Sequence, residues 1–187
     1  MVAAQPVWAS WYAGNYQTGA YGIKANIYTP PSAPYLASSG ESSWVSTNAP
    51  YWVQTGWRYY KNWENARPYI EYNLSTGYDL TEYGTQSWGW YKGYKLVHSM
   101  YGWSVYIDNV FKLLVGGGGL PTPPTLLLAS SEVHSSSSNE LDTTFCSVSW
   151  QNSSGTWSVF NQNHFFEDSP YHVTDDYYYH FNCYGPE

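Results

Sequence analysis

At 187 residues the chain is sized for one domain and is long enough to bury a substantial core. Charged residues make up only 11%, and 7 Lys and Arg stand against 14 Asp and Glu for a formal net charge of −7. That balance excludes the cationic surface a duplex nucleic acid or an anionic membrane would need, and no apolar run approaches the roughly 18 residues of a membrane-spanning helix. Aromatic residues reach 20%, with 21 Tyr and 11 Trp, a composition associated with extracellular β proteins that handle sugars or peptides.

Residues 1–18 read as an N-terminal arm or edge segment, with no basic or long apolar stretch of an intact signal peptide. Tyr21 to Tyr28 alternates, with Ile23, Ala25 and Ile27 on one face, and predicts a half-buried strand. Pro30, Pro31 and Pro34 stop it, and residues 37–42, A-S-S-G-E-S, read as a loop. Strands are predicted at Trp44–Val45 and Tyr51–Tyr60, broken by Asn48-Ala49-Pro50, and again at Pro68–Asn73. A meander follows: Tyr78–Tyr83, Gly93–Ser99, Trp103–Ile107, a turn at Asp108-Asn109, and Val110–Val115. Residues 116–124 form a flexible Gly/Pro loop, with no lysine and helix to make it a phosphate loop. Thr125–Val133 and Thr143–Gln151 are further strands, the second with Phe145, Ser147 and Ser149 on one face and Cys146, Val148 and Trp150 on the other. Thr156–Phe160 follows, and residues 165–187 form a Tyr/His/Asp-rich tail. No window carries a 3.6-residue apolar stripe. Many short strands bounded by turns predict an all-β fold: an antiparallel double-sheet sandwich of the concanavalin-like jelly-roll kind.

In an extracellular chain, Cys146 and Cys183 would be joined by a disulfide tying the last segment to a core strand. Asn73-Leu74-Ser75 and Asn152-Ser153-Ser154 are formal glycosylation sequons.

Two residues stand out chemically. Gln54 is an amide in mid-strand, sharing a face with Trp52 and Gly56. Glu132 ends an apolar strand, L-L-L-A-S-S-E-V-H. A carboxyl in such a place can serve as acid and base, and an amide can orient a water and donate to an oxyanion. By spacing alone the pair is a weak signal, and a surface Glu with a structural Gln explains it.

The run S-W-V-S-T-N, Y-W-V-Q-T-G-W, Y-I-E-Y and, some sixty residues on, A-S-S-E-V resembles the glutamic peptidase (eqolisin) family. Q-T-G-W with S-E-V is also similar to the related neprosin group. The resemblance implies a double β-sandwich with a groove, no cofactor and no metal, and secretion. It makes Gln54 and Glu132 catalytic, with Glu132 activating a water and Gln54 stabilising the oxyanion, in acid. Trp44, Trp52 and Asn48 would line the substrate groove and Glu71 would support it. The sequence departs from the eqolisin pattern at Asn48, where the family has Asp, and at Val133, where it has Trp. Gly56 is expected to leave room for a substrate backbone.

The His and acidic residues of the tail (His164, Glu167, Asp168, His172, Asp175, Asp176, His180) fit no metal motif. Trp88, Trp90, Tyr91, Tyr94 and Tyr177–Tyr179 supply the alternative: a non-catalytic sandwich whose exposed rings bind glycans or mediate self-association.

Overall fold

The computed structural model describes residues 10–37, 40–48, 50–123, 125–134 and 137–186. Half of the expected arm, residues 1–9, and parts of the expected breaks at 37–42, 48–50 and 116–124, lie outside them. The described residues form β-strands and no helix: β1 Ser10–Ala20, β2 Gly22–Tyr28, β3 Gly40–Thr47, β4 Trp52–Tyr60, β5 Arg67–Leu74, β6 Gly77–Glu82, β7 Tyr91–Ser99, β8 Gly102–Ile107, β9 Val110–Val115, β10 Thr125–His134, β11 Leu141–Gln151, β12 Trp157–Val159, β13 Phe166–Glu167, β14 His172–Tyr177 and β15 His180–Gly185.

Two antiparallel sheets result, one in the order β13-β1-β10-β3-β4-β5-β6 and the other β14-β15-β11-β2-β7-β8-β9, with β12 beside β11. The expected sandwich is the observed fold. The expected meander is split between the sheets: β6 ends the first, and β7 to β9 form one flank of the second. The inner faces meet in one core. Val45, Val53, Trp57, Leu127, Ala129 and Val133 come from the first sheet; Ile23, Ile27, Leu96, Trp103, Phe145 and Phe181 come from the second. Burying each large side chain contributes roughly 1.5–3 kcal/mol.

The central strand β3 differs from the loop expected over 37–42. Its sequence, G-E-S-S-W-V-S-T, has no apolar alternation, yet every residue in it is buried. Neighbours cover both of its faces, and small hydroxyls satisfy one another inside: Ser43 Oγ lies 2.7 Å from Ser131 Oγ of β10. Residues 10–18 are likewise no arm, because they pair along β10. Nor is 165–187 a tail. β15 pairs with β11 and buries Phe181 and Cys183.

β11 breaks its predicted alternation. A bulge between Cys146 and Ser149, with Ser147 at φ 55°, turns Val148 inward alongside Phe145. The same strand overturns the disulfide. Thr143 is paired with Cys183, so Cys146, three residues further along, projects from the opposite face of the sheet. Both cysteines are free: Cys183 is buried and gives its thiol to the Ala13 carbonyl, while Cys146 is partly exposed beside Tyr91 and His180. Burial pushes the Cys183 thiol up to about 12. A thiol-specific reagent should therefore modify Cys146 in the folded protein and Cys183 only after unfolding. An intact mass two hydrogens light would contradict this placement.

Candidate active groove

The register of the first sheet decides which side chains share its outer face. Across β1, β10, β3 and β4, Tyr12 is paired with Glu132, Glu132 with Ser42, and Ser42 with Arg58. Two residues along, Gly14, Ser130, Trp44, Gly56 and Tyr69 form the next row. The row beyond holds Leu128, Ser46, Gln54 and Glu71. Alternation therefore puts Glu132, Trp44, Gln54 and Glu71 on one face. They line a groove of about 360 Å³, together with Trp52, Asn48, Tyr12, Arg58, Tyr60, Tyr69 and His134. Every residue named from the sequence as catalytic or substrate-binding lies on it.

Gly56 has a different task from the one expected. A Cβ there would lie 1.9 Å from the Ser43 carbonyl oxygen, and at Gly14 it would lie 2.5 Å from that of Ala129. These glycines let neighbouring strand backbones close on one another in the Trp44 row; they leave no free space for a substrate.

The amide nitrogen of Gln54 is fully engaged. Its Nε2 donates to Tyr69 Oη at 2.9 Å and to Glu71 Oε2 at 2.7 Å, and Tyr78 donates its hydroxyl to Glu71 Oε1. Burial, reinforced by the charge of Glu132, raises the Glu71 carboxyl above its ordinary range against the hydrogen bonds from Tyr78 and Gln54.

Glu132 is held from the other end of the groove. Tyr12 donates its hydroxyl to Oε1 at 2.8 Å, and His134 Nδ1 lies 3.4 Å from the same oxygen. Burial and then the charge of Glu132 push the Tyr12 phenol up, so it stays a donor. Both partners found among the described residues are on Oε1, which leaves the other carboxyl oxygen to meet a ligand. Gln54 and Glu132 stand two strands and two rows apart, roughly 10 Å across the sheet and 13 Å along it at the backbone. Trp44 lies in the row between. Its buried indole N–H has no partner among the described residues.

Arg58 brings a cation to this face, but Glu82 of β6 holds it and also takes Arg67 at 2.7 Å. Burial works against the Glu82 charge, yet the hydrogen bonds from Arg67 and Arg58 outweigh it and hold the carboxyl below the usual range. Arg58, Tyr69 and His134 were within reach of the sequence, since period two leads from Gln54 to Arg58, from Glu71 to Tyr69 and from Glu132 to His134. Tyr12 carried no such signal. Among the tail residues, Glu167 and Asp168 accept backbone N–H groups of Val173 and Tyr12, a structural use. Trp90, Tyr91 and Tyr177 are exposed, whereas Tyr94 is buried.

No family model matches the chain, and no curated protein matches it in sequence. Among solved structures the chain is similar to scytalido-glutamic peptidase with a peptide-based transition-state analogue. The TM-score is 0.70 at 15% identity, covering 95% of this chain and 98% of that one. It is also similar to SCP-B, a member of the eqolisin family of peptidases, in complex with the tripeptide Ala-Ile-His. There the TM-score is 0.66 at 14% identity, with 95% and 98% covered. At these identities the likeness is one of fold: the chain has the double-sheet architecture of the eqolisin peptidases along nearly its whole length.

The Glu82 cluster gives a stability prediction. A carboxyl whose folded pKa is depressed stabilises above its unfolded pKa and loses that contribution as pH falls through the folded value. Glu82→Gln should cost about 1 kcal/mol near neutral pH and progressively less in acid, read from denaturant unfolding at a series of pH values. An equal cost at every pH would contradict the ionic account.

Proposed function

We propose that the groove is the active site of a secreted, acid-acting endopeptidase of the glutamic type. The observation that carries this reading is the shared face: Glu132 and Gln54, on strands separated by β3, both open into one groove with the unpartnered Trp44 N–H between them. A polypeptide laid across these rows would place a scissile carbonyl among groups able to act on it.

In the proposed reaction, the free oxygen of Glu132 takes a proton from water as the water oxygen bonds to the carbonyl carbon. The oxyanion that forms accepts a hydrogen bond from Gln54 Nε2. That donor must first leave Tyr69 or Glu71, so substrate displaces a hydrogen bond present in the empty groove. Acid favours this exchange. Glu71, with its pKa raised by burial, takes up a proton sooner than an ordinary glutamate and then holds the amide less strongly. Glu132 next gives its proton to the departing amine as the C–N bond breaks, which releases two peptides and restores the carboxylate. Tyr12 and His134 fix the resting oxygen of Glu132, Glu71 positions Gln54, and Trp44, Trp52 and Asn48 contact the chain of the substrate.

A second reading, peptide capture without cleavage, is favoured by one observation: both N–H groups of Gln54 are committed to Tyr69 and Glu71. A single assay separates the two. The wild type should cleave a denatured protein at about pH 2–5. Glu132→Gln should lower kcat by at least about 10³-fold, Gln54→Ala by about 10²–10³-fold and Glu71→Gln by about tenfold, with each variant still folded. Wild-type protein that binds the substrate but leaves it intact would establish capture and end the peptidase reading.

A further inference from the structure

The most unusual buried group lies outside the groove chemistry. Glu41 is the second residue of β3 and is only 1% exposed, and neither of its carboxyl oxygens has a hydrogen-bond partner among the described residues. Glu41 borders the groove, but alternation turns its side chain to the opposite face of β3, the one that also carries the buried Ser43 and Val45. From β10 it meets Val133, and from β4 Tyr59. The charged groups that act on it are Asp142 of β11 and Glu140 just before that strand, both negative. Tyr59 and Tyr171 in turn feel its charge. No Lys, Arg or His pairs with it among the described residues. Glu140 is itself held by the Tyr35 N–H.

A carboxylate here would have no counter-charge, no hydrogen bond and no water contact, the costliest situation for a charge in a protein. Protonated, it is a neutral group with one donor and one acceptor unmet, which costs far less. Burial first, then Asp142 and Glu140, accordingly drive its pKa well above the usual carboxylate range.

We propose that Glu41 is a proton-dependent latch in the strand that spaces Glu132 from Gln54. With its proton on, β3 sits in the sheet and the groove is assembled; loss of the proton drives β3 out of register with β10 and β4. The sign follows from linkage. A carboxyl whose folded pKa is raised supports the fold fully below its unfolded value of about 4.3, and that support disappears as pH rises through the folded value. The chain is thereby restricted to acid by its own framework. This inference does not depend on the peptidase reading, since a non-catalytic groove would be limited in the same way.

Thermal unfolding of the wild type and of Glu41→Gln, followed by circular dichroism from about pH 4 to about pH 7.5, tests it. The wild-type midpoint should fall by roughly 10 °C across this range, and the non-titrating variant should lose less than half as much. Parallel curves would overturn the latch. Carboxyl-carbon NMR of the wild type gives a second reading that needs no variant. The Glu41 signal should remain in its protonated position after the exposed glutamates have titrated, and titration along with them would overturn the proposal.

Discussion

The ladder that β3 makes with β10 on one side and β4 on the other places every side chain in the groove. Ser42 fixes the level of Glu132, and Ser46 fixes the level of Gln54. A slip of one residue on either side would turn Glu132 or Gln54 into the core and bring apolar residues out. The strand is suited to this position by having little to bury. Its serines fit where both faces are covered, and Gly56 and Gly14 allow β4 and β1 to approach the strands beside them. Trp44 is the one large side chain it sends to the groove.

Charge on the first sheet is arranged around that strand. Arg58 points to the groove face but is taken up by Glu82, and the rings of Tyr60, Trp63 and Tyr69 lie beneath its guanidinium. Glu71 and Glu132 therefore share the groove with Arg58 tied up by Glu82: Gln54 and Tyr78 donate to Glu71, and Tyr12 donates to Glu132 with His134 beside it. Behind the same strand Glu41 has no donor among the described residues. A sheet in which burial raises two carboxyls, Glu71 and Glu41, above their ordinary range is easier to hold together when protons are plentiful. The physical chemistry of the framework and the chemistry proposed for the groove thus point to the same range of pH.

Much of this was legible in the sequence wherever side-chain pattern and environment agree. β2, β4, β5 and β7 to β11 alternate or are bounded by Gly, Pro and Asn-containing turns, and Asp108-Asn109 takes the left-handed backbone that its composition suggests. Gln54 stood out because an amide in mid-strand needs a partner, and Glu71 and Tyr69 are its partners. The failures have a common cause in context. β3 has a loop's composition because its burial comes from neighbours on both sides, and β14 and β15 look like a polar tail because β14 is an exposed edge strand. The bulge at Ser147 changes the inward residue from one that period two predicts to Val148, and nothing local announces it. Cysteine count alone suggested a bond that the two faces of one sheet forbid. Glu41 reads as a loop residue in the sequence, since a buried charge without a partner has no signature there.

We propose that Glu132 and Gln54 act together on one peptide bond. A crystal structure with a peptide-based transition-state analogue, grown in acid, examines this directly. The tetrahedral centre should lie over the Trp44 row, with one oxygen on the second carboxyl oxygen of Glu132 and the other on Gln54 Nε2, both within about 3.2 Å. An analogue bound elsewhere, or one seated in the groove while Gln54 keeps both Tyr69 and Glu71 and stays out of its reach, would contradict it.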